Sequence, residues 1–186
     1  MAENLEKIIK GCAQEKRSAQ EELYKLFAKK LFAVSLLYTK DHSAAEDVLH
    51  EGFIKIFQNI KDYANKGSFE GWLRKIIINT ALQRYRKQKY LYSITDETEF
   101  DEEFSNDDVV SEISANDLMN FIQELSPQYR VVFSLYAIEG YSHKEISEIV
   151  SITESTSKSN LSRARKILQE KVLANFPAMS KKSYVG

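Results

Sequence analysis

The sequence predicts an all-α protein: two small helical domains joined by an acidic linker, the second containing a helix-turn-helix. Three observations lead there. Apolar residues recur at spacings of three and four along most of the chain, which is the period of one helix face. Only two prolines and six glycines interrupt 186 residues, and no segment reads convincingly as a strand. Charge is also segregated in blocks behind a net value of -1. There is no acidic residue between Gly71 and Thr95, and no Lys or Arg between Tyr90 and Tyr129.

Leu23, Phe27, Leu31 and Val34 line one face of a first strong helix that should end near Thr39-Lys40-Asp41. Ser43-Ala44-Ala45-Glu46 reads as a capping box. A serine hydroxyl and a glutamate carboxylate three residues on can satisfy orphan amides at a helix start. Ala45, Val48, Leu49, Phe53, Ile56, Phe57 and Ile60 then follow at helical spacing. Lys66-Gly67-Ser68 breaks the pattern, and Ser68 can cap a third helix with Phe69, Trp72, Leu73, Ile76 and Ile77 on its apolar face. That helix runs into a basic tail, Arg84 to Lys89. Three such helices can close one core, so residues 1–94 form the first domain.

Residues 95–113 are the linker. Asp96 to Asp108 is crowded with carboxylates and has little apolar surface to offset its ordering entropy. Residues 114–186 form the second domain. Leu118, Phe121, Ile122 and Leu125 make a short helix, and Ser126-Pro127 supplies a cap residue followed by proline at the first helical position. Gly140 ends the helix so begun, and Ser142-His143-Lys144-Glu145 is a second capping box. Ile146, Ile149 and Val150 face inward from a short helix, and Leu161, Ala164, Leu168 and Val172 from a longer one starting near Thr153.

Cys12 alone cannot form an internal disulfide and fits a reducing cytosol. His42, His50 and His143 make no zinc spacing with it, so no metal is expected, and no cofactor motif is present. The longest mostly apolar run, Leu31 to Tyr38, is too short to span a bilayer. Met1 to Gln20 lacks the apolar stretch of a signal peptide, and a soluble cytoplasmic protein is expected.

Three constellations bear on function. The pair of helices from Ser142 to about Val172, parted by Ser151-Ile152-Thr153, has the pattern of a helix-turn-helix whose second helix enters the major groove. Its bland alternative is a helical hairpin with a solvated basic face. In the third helix of the first domain, Trp72 shares a segment with Arg74, Lys75, Asn79, Gln83, Arg84, Arg86, Lys87 and Lys89, flanked by Tyr85, Tyr90 and Tyr92. Rings beside cations suit single-stranded nucleic acid, although the phase of Trp72 with Phe69 and Ile76 also fits plain core. Glu46, Asp47, His50 and Glu51 stand clear of the second helix's apolar stripe. No nucleophile, metal pattern or phosphate cradle accompanies them, so no catalytic residue is assigned and a protein-docking face explains them better.

Together these features resemble the extracytoplasmic-function sigma factors, the smallest class of bacterial RNA polymerase sigma subunits. Leu23 to Lys89, with "SAAEDVLHEGFIKIFQNI" and "GSFEGWLRKIIINTALQRYRKQ", resembles the domain that binds the polymerase clamp helices and the minus-ten element. Leu125 to Lys171, with "YSHKEISEIVSITESTSKSNLSRARK", is similar to the domain that reads the minus-thirty-five element. The resemblance implies that Asp47, His50 and Glu51 contact core polymerase, with His50 where glutamine is usual. It implies that Trp72, Asn79, Gln83 and Arg84 capture the displaced promoter strand, and that Ser159, Ser162 and Arg163 face the upstream groove. Lys158, Asn160 and Arg165 would be phosphate contacts, and Tyr129 to Leu135 would help meet the polymerase flap. An anti-sigma factor is a further implied partner.

The sequence departs from the family pattern at Ser151, where glycine is usual in the turn, at Ser157, where valine is usual, and at Asn160, where arginine is common. Ser157 for valine is expected to remove apolar burial of roughly 1 kcal/mol. The competing function is a two-domain helix-turn-helix regulator that is not a polymerase subunit.

Overall fold

The computed structural model describes residues 2–64, 66–92 and 114–176, and no strand occurs among them. The acidic segment Asp96 to Asp108 lies outside the described residues, as do the side chains of Lys89, Tyr90 and Tyr92. The chain divides into two compact units, Met1–Gln88 and Lys89–Gly186.

The first unit holds α1 (Ala2–Ala13), α2 (Arg17–Leu36), α3 (His42–Asn59) with a 3-10 turn at Ile60–Asp62, and α4 (Phe69–Tyr92). Sequence reading expected three helices here, and α1 is the one it missed. Among the described side chains of α1, Ile8 and Cys12 are the buried apolar ones, too few to stand out as a periodic face. The helix ends in a Schellman motif, with the Lys16 amide donating to Gly11 O (3.0 Å) and the Glu15 amide to Cys12 O (2.9 Å). Glu15 takes the left-handed conformation there (φ 60). Burial raises the Cys12 thiol to about 11, with Glu22 adding to the effect, so it stays a packed, protonated side chain.

Most of the predicted core positions of this unit are buried, with Phe57, Trp72 and Ile76 only half-buried. Leu23, Phe27, Leu31 and Val34 of α2 meet Ala45, Val48, Leu49, Phe53 and Ile56 of α3, and Phe69, Leu73 and Ile77 of α4 close the core. Gly52 permits the close approach of α3 and α4, since a Cβ there would lie 2.3 Å from Ile77 Cδ1. The start of α3 differs from expectation. Asp41 is the cap, accepting from the Ala44 amide at 2.8 Å, and Ser43 lies already inside the helix. Ser68 does cap α4, accepting from the Gly71 amide at 3.0 Å.

The second unit comprises α5 (Ala115–Gln123), α6 (Pro127–Phe133) continuing as a π-turn through Ser134–Ile138, α7 (His143–Val150) and α8 (Glu154–Asn175). Ser114 caps α5 by accepting from the Asp117 amide at 3.1 Å. Pro127 begins α6 as expected, but the Ser126 hydroxyl makes no capping bond. The Arg130 side chain, 4% exposed, instead ties α6 to the end of α5. Its Nε donates to Ile122 O (3.2 Å), and Nη2 to Gln123 O and Leu125 O (both 2.6 Å). Gly140 stands at φ 78 beyond the π-turn, where a side chain would be strained.

Candidate functional site

In the first unit, α3 and α4 place their polar residues on a shared rim. Asp47 and His50 are exposed, Glu51 is half-buried, and Ile54, one turn further along, is 57% exposed. From α4, Arg84 Nε donates to Glu51 Oε2 at 2.8 Å and Arg84 Nη1 to Asp47 Oδ2 at 3.1 Å. The Lys55 ammonium meets Glu51 Oε1 at 2.9 Å and donates to Gln83 Oε1 at 2.9 Å and Thr80 Oγ1 at 3.3 Å. The Lys55 hydrogen bond holds the Glu51 carboxyl below its usual range, with Arg84 adding to this and partial burial opposing it. Sequence reading put Asp47 and Glu51 in one site and Gln83 and Arg84 in another. The structure links all four through Lys55 and Arg84. Neither link was visible in the sequence, since the partners are 28 and 37 residues apart.

Trp72, Asn79 and Gln83 are spaced by seven and four residues, so they lie along one stripe of α4. The Trp72 ring is half-buried, stacked on Phe69 (centroids 5.7 Å, planes 21° apart) and 5.4 Å from Tyr63. The Trp72 ring thus packs against core aromatics while staying partly accessible. Asn79 and Gln83 are exposed, as are Lys75, Arg86 and Lys87. Because no carboxylate follows Glu70 on α4, the cations leave a positive surface along the helix.

In the second unit, α7 and α8 form the helix-turn-helix. The Ser142 capping box is present, with Ser142 Oγ capping the Glu145 amide and the Ser142 amide donating to Glu145 Oε2 at 2.8 Å. Ser151 adopts the left-handed conformation (φ 56, ψ 59), which explains why glycine suits this turn. Thr153 caps α8, accepting from the Thr156 amide at 3.0 Å.

The recognition-helix residues divide by face. Lys158 and Arg165 are exposed and Ser159 and Ser162 half-exposed, all consistent with access to a groove. Arg163 is half-buried and its Nη1 donates to the Tyr129 hydroxyl of α6 at 3.4 Å. Asn160 is a correction. At 4% exposed it faces inward with Leu161 and Ala164, so a phosphate cannot reach it in this conformation. The Tyr129 to Leu135 expectation also narrows. Arg130, Val131, Val132, Ser134 and Leu135 are buried, leaving Tyr129 and Phe133 as the partly accessible side chains.

Ser157 is not a simple packing deficit. It is fully buried, and its hydroxyl shares a hydrogen bond with His143 Nδ1 at 2.9 Å. Burial, with Lys158 and Arg165 nearby, lowers the His143 pKa against a smaller opposing effect of Glu154. No group of three or more His, Cys, Asp or Glu suited to a metal occurs among the described residues, and no described helix is long and apolar enough to cross a membrane.

Comparison with known proteins matches the two parts of the sequence separately. Residues 23–90 match the family model for sigma-70 region 2, and residues 115–168 that for sigma-70 region 4. The chain is 28% identical over 152 residues to the ECF RNA polymerase sigma factor SigM of Bacillus subtilis, covering 80% of this chain and 92% of that protein. It is 27% identical over 180 residues to SigW of the same organism, covering 90% and 96%. A third relative, SigE of Mycolicibacterium smegmatis, is 26% identical over 155 residues, covering 81% of this chain. The chain spans 60% of that relative's length. With region 2 on the first helical unit and region 4 on the second, in the family's order and over about two thirds of its length, the chain belongs to the sigma-70 family of RNA polymerase sigma factors, in its extracytoplasmic-function class.

Proposed function

We propose that this sigma factor gives core RNA polymerase its promoter choice by dividing the work between residues 1–94 and 114–186, with 95–113 as the connecting linker. Asp47, His50 and Glu51 dock on the polymerase clamp helices. Trp72, Asn79, Gln83 and Arg84 hold the displaced strand of the minus-ten element. Lys158, Ser159, Ser162, Arg163 and Arg165 read or anchor the minus-thirty-five element, and Tyr129 and Phe133 contribute to the flap contact. The protein works in the cytoplasm with polymerase and promoter DNA, and an anti-sigma factor is the regulator that the family resemblance implies.

The observation that carries this reading is the stripe on α4. A part-exposed indole packed against Phe69 and Tyr63 stands in line with two exposed side-chain amides, on a helix that also exposes Lys75, Arg86 and Lys87. An unstacked base can lie on the ring while the strand's phosphates run along the cations. Each stacked base contributes roughly 1 to 3 kcal/mol. Strand opening then draws on binding energy, and the chain supplies no catalytic residue.

Run-off transcription with core polymerase and a panel of promoters tests the proposal. Promoter-specific initiation is expected, and its absence on every template together with absence of core binding would refute it. Arg163→Ala should relax upstream-element preference, whereas Asp47→Ala should weaken core binding and leave that preference intact. Stoichiometric association with core polymerase separates this function from that of a free-standing regulator.

A further inference from the structure

Three elements of the second unit converge on one imidazole that the proposed contacts leave without a role. His143 is the first residue of α7, held in place by the Ser142 capping box. Its Nδ1 lies 2.9 Å from Ser157 Oγ in the first turn of α8. Its ring stacks on Tyr136 of the π-turn, with centroids 4.6 Å apart and planes 24° apart. The Arg165 guanidinium carbon lies 5.7 Å from the centre of that same tyrosine ring. A chain of contacts therefore runs from Ser157 through His143 and Tyr136 to Arg165.

We propose that His143 is a positioning residue for α8, seating its first turn through Ser157 and aiming the Arg165 guanidinium through the Tyr136 ring. The inference rests on α8 being the reader of the upstream element. Ser157 and Arg165 are eight residues apart, about 12 Å along the helix. Two anchors at that separation fix the roll of α8 as well as its depth, and roll decides which side chains face the groove. The Ser157 hydroxyl is buried, and His143 is the partner found for it in the structure, so removing the imidazole strands a polar group inside the unit. Tyr136 holds Arg165 by cation–π attraction and keeps a long side chain from sampling other rotamers.

The test uses the full chain with core polymerase on paired templates, one with its upstream element intact and one with it scrambled. The readout is the ratio of initiation on the two. His143→Ala should lower that ratio about threefold to tenfold, the loss of one buried hydrogen bond, with core affinity unchanged. His143→Asn, whose amide can stand near the Nδ1 position, should recover most of the ratio. Ser157→Ala should reproduce the loss, and the double variant should be no worse than either single one, as contacting residues couple. A ratio within twofold of the unsubstituted protein in a folded His143→Ala chain, or additive losses in the double variant, would overturn the proposal. If His143→Ala fails to fold, Ser157→Ala decides by the same criterion. Absence of promoter-dependent initiation by the unsubstituted chain overturns the function itself, whereas initiation with an unaltered ratio overturns only the role of His143.

Discussion

Replacing Arg130 by methionine keeps the aliphatic bulk of the side chain and removes a guanidinium that serves three backbone carbonyls. One of the three, Ile122 O, also accepts the Leu125 amide at 3.2 Å, so it retains a partner. Gln123 O and Leu125 O each lose their donor. A buried acceptor left unpaired costs about 1 to 3 kcal/mol, which puts the substitution near 3 to 4 kcal/mol after partial relaxation. That is a large part of the stability of a unit this small. The damage should stay within the second unit, loosening α5 from α6 and withdrawing support from α8. Hydrogen exchange of the full chain measures it, with peptides from residues 115–176 as the readout and peptides from 2–87 as the internal reference. A cost of 3 kcal/mol corresponds to roughly a hundredfold faster exchange in α5, α6 and α8. An increase below tenfold there, or an equal one in the first unit, would refute the reasoning. Arg130→Lys supplies donors from one point instead of a fork, so it should fall between the two.

Ser151→Gly should stabilise the turn of the helix-turn-helix by about 0.5 to 1 kcal/mol. Relief of the left-handed backbone, about 1 to 2 kcal/mol, exceeds the added chain entropy of glycine; exchange of the α7 amides reports it. Arg84→Ala should change the stability of the first unit by less than about 1 kcal/mol, because both of its ion pairs are substantially solvated. Strand opening should fall several-fold, and reactivity of unpaired promoter thymines measures it. Acid should weaken the second unit through His143. Its folded pKa lies below the ordinary 6.5, so the unfolded chain binds more protons between the two values. Stability from this group is therefore complete above pH 6.5 and declines as pH falls toward the folded pKa. Melting of His143→Asn alongside the unsubstituted chain checks the assignment, since a side chain that does not titrate in this range should remove that part of the slope.

The helices of both units were legible because apolar spacing reports directly which face a helix must bury. Ser142 with Glu145, and Ser68 before α4, were legible as caps because capping is a contact between residues three apart. At α3 the same logic chose Ser43 over Asp41, since two suitable cap residues stood within two positions and spacing could not rank them. The first helix escaped because its inward face carries few large side chains.

Sequence by itself thus determined the helical class, the two-part organisation and the family, all of which rest on local periodicity and motif order. Only the tertiary structure decided which polar side chains are buried and what satisfies them. Asn160 turns inward, Arg130 closes the end of α5, Ser157 meets His143, and Arg84 bridges Asp47 and Glu51. The physical reason is the same in each case. A polar group's place depends on a hydrogen-bonding or packing partner brought from another helix, and no local pattern names that partner.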